Sequence, residues 1–103
     1  MDLARKHKER ANEALALRAL AETMARSGRS DAGAAVQHYE ASLALAQEIG
    51  MQPLIAHGHF GLGKLHVRTG KRQQAAEQFA LATSIYRDLG MSAWVERLQQ
   101  TLE

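Results

Sequence analysis

Apolar residues recur at intervals of three and four along almost the whole chain, and no stretch alternates with a period of two. That spacing lines one face of an α-helix, and it predicts five of them. The first runs from about Asp2 to Ser27, with Asp2 as N-cap and Gly28 as its stop. Its apolar positions are Ala11, Ala14, Leu15, Leu17, Leu20, Ala21 and Met24. Ser30 or Asp31 caps the second, which carries Ala35, Val36, Tyr39, Leu43, Leu45, Ala46 and Ile49 up to Gly50. Pro53 stands in the first turn of the third, where a missing N–H does no harm, and this helix reaches Thr69 before Gly70. The fourth carries Ala75, Ala76, Phe79, Ala82, Ile85, Tyr86 and Leu89 and ends at Gly90. Ser92 caps a short fifth helix with Trp94, Val95, Leu98 and Leu102 on one side. Connections of about two to four residues make consecutive helices antiparallel neighbours.

The pattern also repeats. Gly28 and Gly70 are 42 residues apart, Gly50-Met51 returns after 40 residues as Gly90-Met91, and Ala35-x-x-x-Tyr39 returns as Ala75-x-x-x-Phe79. A fixed period in this range marks a helical repeat array, whose units bury their apolar faces against each other. The clearer copy reads His59-x-x-Leu62-Gly63-x-x-His66, Gly70, Ala75-x-x-x-Phe79, Ala82. The other reads Leu17-x-x-Leu20-Ala21-x-x-Met24, Gly28, Ala35-x-x-x-Tyr39. Small residues at Ala21 and Gly63, met by Ala35 and Ala75, allow two helices to approach closely, and the aromatic one turn on fills the wedge between units.

These residues, from about Ala14 to Leu102, resemble the tetratricopeptide repeat, whose helix pair carries an aromatic, Leu-Gly and a second aromatic, then Ala-x-x-x-Phe. The chain departs from that pattern. Histidine replaces both large aromatics of the second copy, no proline closes a unit before Gly50 or Gly90, and the repeat is longer than the family's. Gly50 through Trp94 is also similar to the C-terminal repeat region of large bacterial signalling ATPases that carry cyclase or transcription-regulator domains, although none of their catalytic parts is present. The resemblance implies an all-α, short tetratricopeptide-like solenoid forming a single domain over 1–103. Helix pairs at 2–49 and 53–89 are followed by a capping helix at 92–102.

Size and composition narrow the functional classes. A chain of 103 residues makes one domain that buries only roughly 60–65% of its unfolded surface. Two and a half units is near the lower limit for an array, so dimerisation is an open alternative. Thirteen basic and eleven acidic residues, net +2, are interspersed as on a solvated surface rather than a nucleic-acid footprint. The densest basic run, Arg5-Lys6-His7-Lys8-Glu9-Arg10, reads as a solvated first turn of helix. There is no cysteine, which excludes disulfides and thiolate chemistry. No apolar run approaches the roughly 18 residues of a membrane span, and charge at Asp2 and Arg5 breaks any signal-peptide pattern. The expectation is a cytoplasmic protein with no membrane and no nucleic acid among its partners.

Several motifs invite chemistry. Gly58-His59-Phe60-Gly61-Leu62-Gly63-Lys64-Leu65 mimics a phosphate loop, but the residue after the lysine should be Ser or Thr, and the motif lies inside a helix. Its three glycines read instead as close helix contacts. His59 and His66 are seven apart and His57 is two from His59, whereas zinc-binding pairs on helices favour a spacing of four. Packed, hydrogen-bonded histidines are expected, with no metal and no cofactor, and with a response to pH near 6. Ser27, Ser30, Ser42, Ser84 and Ser92 read as helix-end or surface residues. Glu40, Glu48, Glu77 and Asp88 read as outer-face charges, so no catalytic constellation is found.

The stripe His57, Phe60, Lys64, Arg68 follows one helix face. Shifted back by 42 it falls on Leu15, Arg18, Glu22 and Arg26. In the family these positions line the concave groove that grips a partner segment. The resemblance therefore implies a peptide-binding groove of Arg18, Glu22, Arg26, His57, Phe60, Lys64 and Arg68, suited to an acidic, partly apolar protein or peptide segment. The alternative is a self-assembly module, a homodimer formed through Leu3, Leu15, Trp94, Val95 or Leu98 with no peptide ligand. A small-ligand or nucleotide binder using the glycine-rich helix is the minor alternative. The leading expectation is a non-catalytic scaffold or sensor for protein–protein interaction.

Overall fold

The glycine stops and apolar stripes produce five helices. The computed structural model describes residues 3–26 and 32–102, and the expected signals at Asp2, Ser27, Gly28, Ser30 and Asp31 lie outside the described residues, as does the side chain of Leu3. The helices are α1 (Leu3–Arg26), α2 (Ala32–Ile49), α3 (Gln52–Arg68), α4 (Arg72–Asp88) and α5 (Ser92–Leu102). No strand occurs among the described residues. The fold is all-α and repeat-like, with α1 packed on α2, α3 on α4, and α2 joining the pairs through α3.

Three joints share one design. Gly50, Gly70 and Gly90 adopt φ of 73°, 79° and 71°, a left-handed conformation that glycine enters without a Cβ penalty. At each, the next residue's N–H reaches back to a carbonyl five positions earlier, Met51 to Ala46 at 2.9 Å, Lys71 to His66 and Met91 to Tyr86 both at 2.8 Å. The glycine's own N–H bonds three positions back, to Gln47, Val67 and Arg87. This Schellman pairing satisfies the last carbonyls of α2, α3 and α4. It reverses the chain within two or three residues. At the start of α5, the Met91 carbonyl accepts from the N–H groups of Trp94 and Val95, so Met91 is the N-cap and the expected cap, Ser92, is already the first helical residue.

Cross-helix contacts fix the directions. The Ser42 hydroxyl donates to the Ala14 carbonyl at 2.7 Å, and Arg10 pairs with Glu48 further along, so α1 and α2 are antiparallel. Ser42 is 1% exposed, which corrects its expected surface position. Arg68 of α3 donates to the Ala25 carbonyl of α1, near the matching end of that helix. The molecule is a slab of 47 × 34 × 18 Å.

The core is two clusters with α3 between them. Ala14, Ala21, Ala35, Tyr39, Leu43, Ala46, Leu54, Ile55, Leu62 and Leu65 join α1, α2 and α3. Ala56, Phe60, Ala75, Phe79, Ala82, Tyr86 and Leu98 join α3, α4 and α5. Ala35 and Ala75, the small positions of the repeat, are 0% and 2% exposed. A helix buried on both flanks needs room for both neighbours, and the α3 glycines provide it. A Cβ on Gly61 would lie 2.5 Å from the Tyr39 ring, one on Gly63 2.7 Å from the Phe79 ring, and one on Gly58 2.7 Å from Leu43. The phosphate-loop look-alike is thus three packing notches in mid-helix.

The first helix differs from expectation in what it buries. Ala14 and Ala21 are buried, but Leu15 and Leu20 are 44% and 45% exposed. Close approach to α2 favours the alanines at the contact, and the leucines stand to either side.

Candidate functional site

One face of the slab carries a cleft of about 340 Å³. Its residues come from α1, α3 and α5, the alternate helices of the array, with Tyr39 of α2 showing between them. All seven residues expected in the groove line it. Arg18, Glu22 and Arg26 come from α1, and His57, Phe60, Lys64 and Arg68 from α3. Sequence reasoning missed Tyr39, Trp94 and Arg97, which also line it. Arg97 carried a signal, because the 40-residue offset that relates Gly50 to Gly90 relates His57 to Arg97. Tyr39 belongs to a second helix and reaches the cleft only because Gly61 leaves a gap for its ring.

The floor is aromatic. Phe60 and Trp94 line it and rest on the fully buried Tyr86 in edge-to-face and stacked contacts, with the Tyr86 and Trp94 rings 5.7 Å apart and 18° from parallel. His57 lies edge-on to Trp94 at 4.4 Å. The Tyr86 hydroxyl and His57 Nδ1 share a hydrogen bond at 2.6 Å. Burial pushes the Tyr86 phenol up and keeps it protonated. Burial, then the charge of Arg18, lowers His57 to about 4, so this histidine is neutral near pH 7. Burial and the Glu22 carboxylate raise the Tyr39 phenol to about 12.

The rim is cationic. Among the described residues, five positive side chains, Arg18, Arg26, Lys64, Arg68 and Arg97, surround one acid, Glu22. Lys64 Nζ sits over the Phe60 ring and Arg97 over the Trp94 ring, each 4.7 Å from the centroid. These cation–π contacts hold the charges above the aromatic floor. Glu22 bonds Arg18 Nε at 3.0 Å.

The remaining candidates resolve separately. His59 is buried and its Nδ1–H donates to Gln78 Oε1 at 2.7 Å. His66 is packed, but its buried Nδ1 has no hydrogen-bond partner, which corrects the expectation of a bonded histidine. Burial, then Lys71, lowers the pKa of His66. No cluster of three His, Asp or Glu side chains that could hold a metal is found among the described residues. Among the described residues, no helix is long and apolar enough to cross a membrane.

The self-association set is scattered. Leu98 is 1% exposed and belongs to the second core cluster, with Trp94 and Val95 half-buried against the same cluster. These three hold α5 onto α3 and α4 and are correspondingly less free for another copy. Leu15 is exposed.

Compared with known proteins, the chain matches no family model, and no curated protein or solved structure is similar enough to count as a match. The resemblance to the tetratricopeptide repeat therefore rests on the residues themselves.

Proposed function

We propose that this chain is a tetratricopeptide-like module that binds a protein segment, without catalysis, in the cleft formed by α1, α3 and α5. One observation carries the reading: the seven groove residues, chosen by repeat register alone, line a single cleft whose five cations ring an aromatic floor. Such a surface suits an extended acidic segment with a large apolar side chain, the charges steering it and the floor desolvating it. The burial of Ala35 and Ala75 supports the repeat assignment.

Self-association is the second reading, favoured by the exposed Leu15 and Leu20 on α1. One pair of measurements separates the two. A fluorescent acidic peptide containing phenylalanine should bind the wild type and lose at least about tenfold in affinity on Lys64→Glu, since Lys64 is exposed and its reversal leaves helicity intact. Light scattering over a range of concentrations should report a monomer. A peptide that binds Lys64→Glu as well as wild type would overturn the groove reading, and a mass that doubles with concentration would favour the second.

A further inference from the structure

Glu22 is the one acid among the described residues lining the cleft. It stands in the repeat register at the place of Lys64, which lies 42 residues later on the matching face of α3. One helix thus offers a cation held over the Phe60 ring at this position, and the other a carboxylate that occupies a cation. Resting on the acidic-peptide reading, we infer that Glu22 is a built-in competitor, holding Arg18 until a ligand carboxylate displaces it.

Three features make the exchange feasible. First, Arg18 donates to Glu22 from Nε, at 3.0 Å, a single hydrogen bond rather than a two-pronged one through the terminal guanidinium nitrogens. A ligand carboxylate that takes two N–H groups makes the stronger bond. Second, the pair runs from arginine to glutamate at a spacing of four, the weaker of the two orders on a helix. Third, both side chains are partly open to solvent, at 26% and 38% exposure, so a ligand reaches them without unfolding the helix. Glu22 also projects its charge into the cleft, since it acts on both Tyr39 and His57.

The consequence is specificity by charge count. A segment with a single acid gains little at Arg18, because it only replaces one carboxylate by another. A segment with several acids uses Arg18 together with Lys64 and Arg68 and drives Glu22 aside. Glu22→Gln removes the competitor and keeps the shape, so it should tighten binding rather than weaken it.

The test uses the peptide Asp-Glu-Phe-Asp-Glu, labelled at its N-terminus, with affinity read by fluorescence anisotropy and folding by circular dichroism. Glu22→Gln and Glu22→Ala should each bind about threefold to tenfold more tightly than wild type. In an Arg18→Gln background that gain should shrink to less than about twofold, because the site contested is then absent. If the wild type binds and either Glu22 variant binds equally or more weakly, Glu22 is a positioning partner of Arg18 and the inference fails alone. If the wild type and both Glu22 variants fail to bind the peptide, the groove reading fails and takes the inference with it.

Discussion

Single residues in α3 set how close its neighbours come. Gly61 and Gly63 are occupied from opposite sides by Tyr39 and Phe79, whose rings would lie 2.5 and 2.7 Å from an added Cβ. Overpacking of this kind destabilises by about 1–3 kcal/mol. Gly63→Ala should therefore lower the unfolding free energy by that amount, read as a lower urea midpoint. Gly33 of α2 is the control, with no atom within 4 Å of its added Cβ. Gly33→Ala should leave stability unchanged or raise it by up to about 1 kcal/mol. His57 makes the other residue-scale prediction. Its folded pKa, about 4, is below the ordinary value of 6.5. Between those values the unfolded chain binds the extra proton, so stability is full above about pH 6.5 and falls as the pH drops toward 4. The melting temperature should decline over that window, and less steeply for His57→Gln. A flat profile in the wild type would contradict the half-buried, neutral assignment.

At the scale of elements, α5 is the helix held by the fewest side chains. Trp94, Val95, Leu98 and Met91 attach it, with Trp94 stacked on Tyr86. Such a segment opens before the core does. Amides of α5 should exchange faster than those of α3, and Trp94→Ala should lower stability by about 2–3 kcal/mol, less than a fully buried tryptophan. Trp94 is the only tryptophan in the chain, so its fluorescence reports this detachment directly. The elements were well signalled by the sequence because glycine stops and period-3.6 stripes are local. What sits at a helix contact was less legible. Ser42 was read as a surface residue, yet its hydroxyl crosses to the Ala14 carbonyl in the interior. The spacing that places Ser42 beside Leu43 does not say which flank of α2 meets α1. Leu15 and Leu20 erred in the opposite direction for the same reason, since the alanine seam of α1 depends on the distance to α2 rather than on hydrophobicity.

For the whole molecule, the array puts charges from three separate helices around one cleft. The chain's net charge is only +2, but the described residues of the cleft hold five cations and one acid. The α1 and α3 contributions were legible because both helices repeat the same register. Tyr39 and Trp94 were not, because their access depends on how the layers stack. Association driven by this concentrated field should be sensitive to ionic strength. Raising salt from about 50 mM to about 500 mM should slow peptide association severalfold in stopped-flow measurements, with a smaller effect on dissociation.

The three glycine joints have a further implication. Because the backbone leaves α4 at Gly90 as it leaves α2 at Gly50, the segment 51–90 has interchangeable ends. A gene encoding that segment twice in tandem would splice like with like. The lengthened protein should melt higher than the parent, since each inserted unit adds an internal boundary while leaving the termini unchanged. Chain length would become an adjustable parameter, and the number of docking sites would rise in step with it.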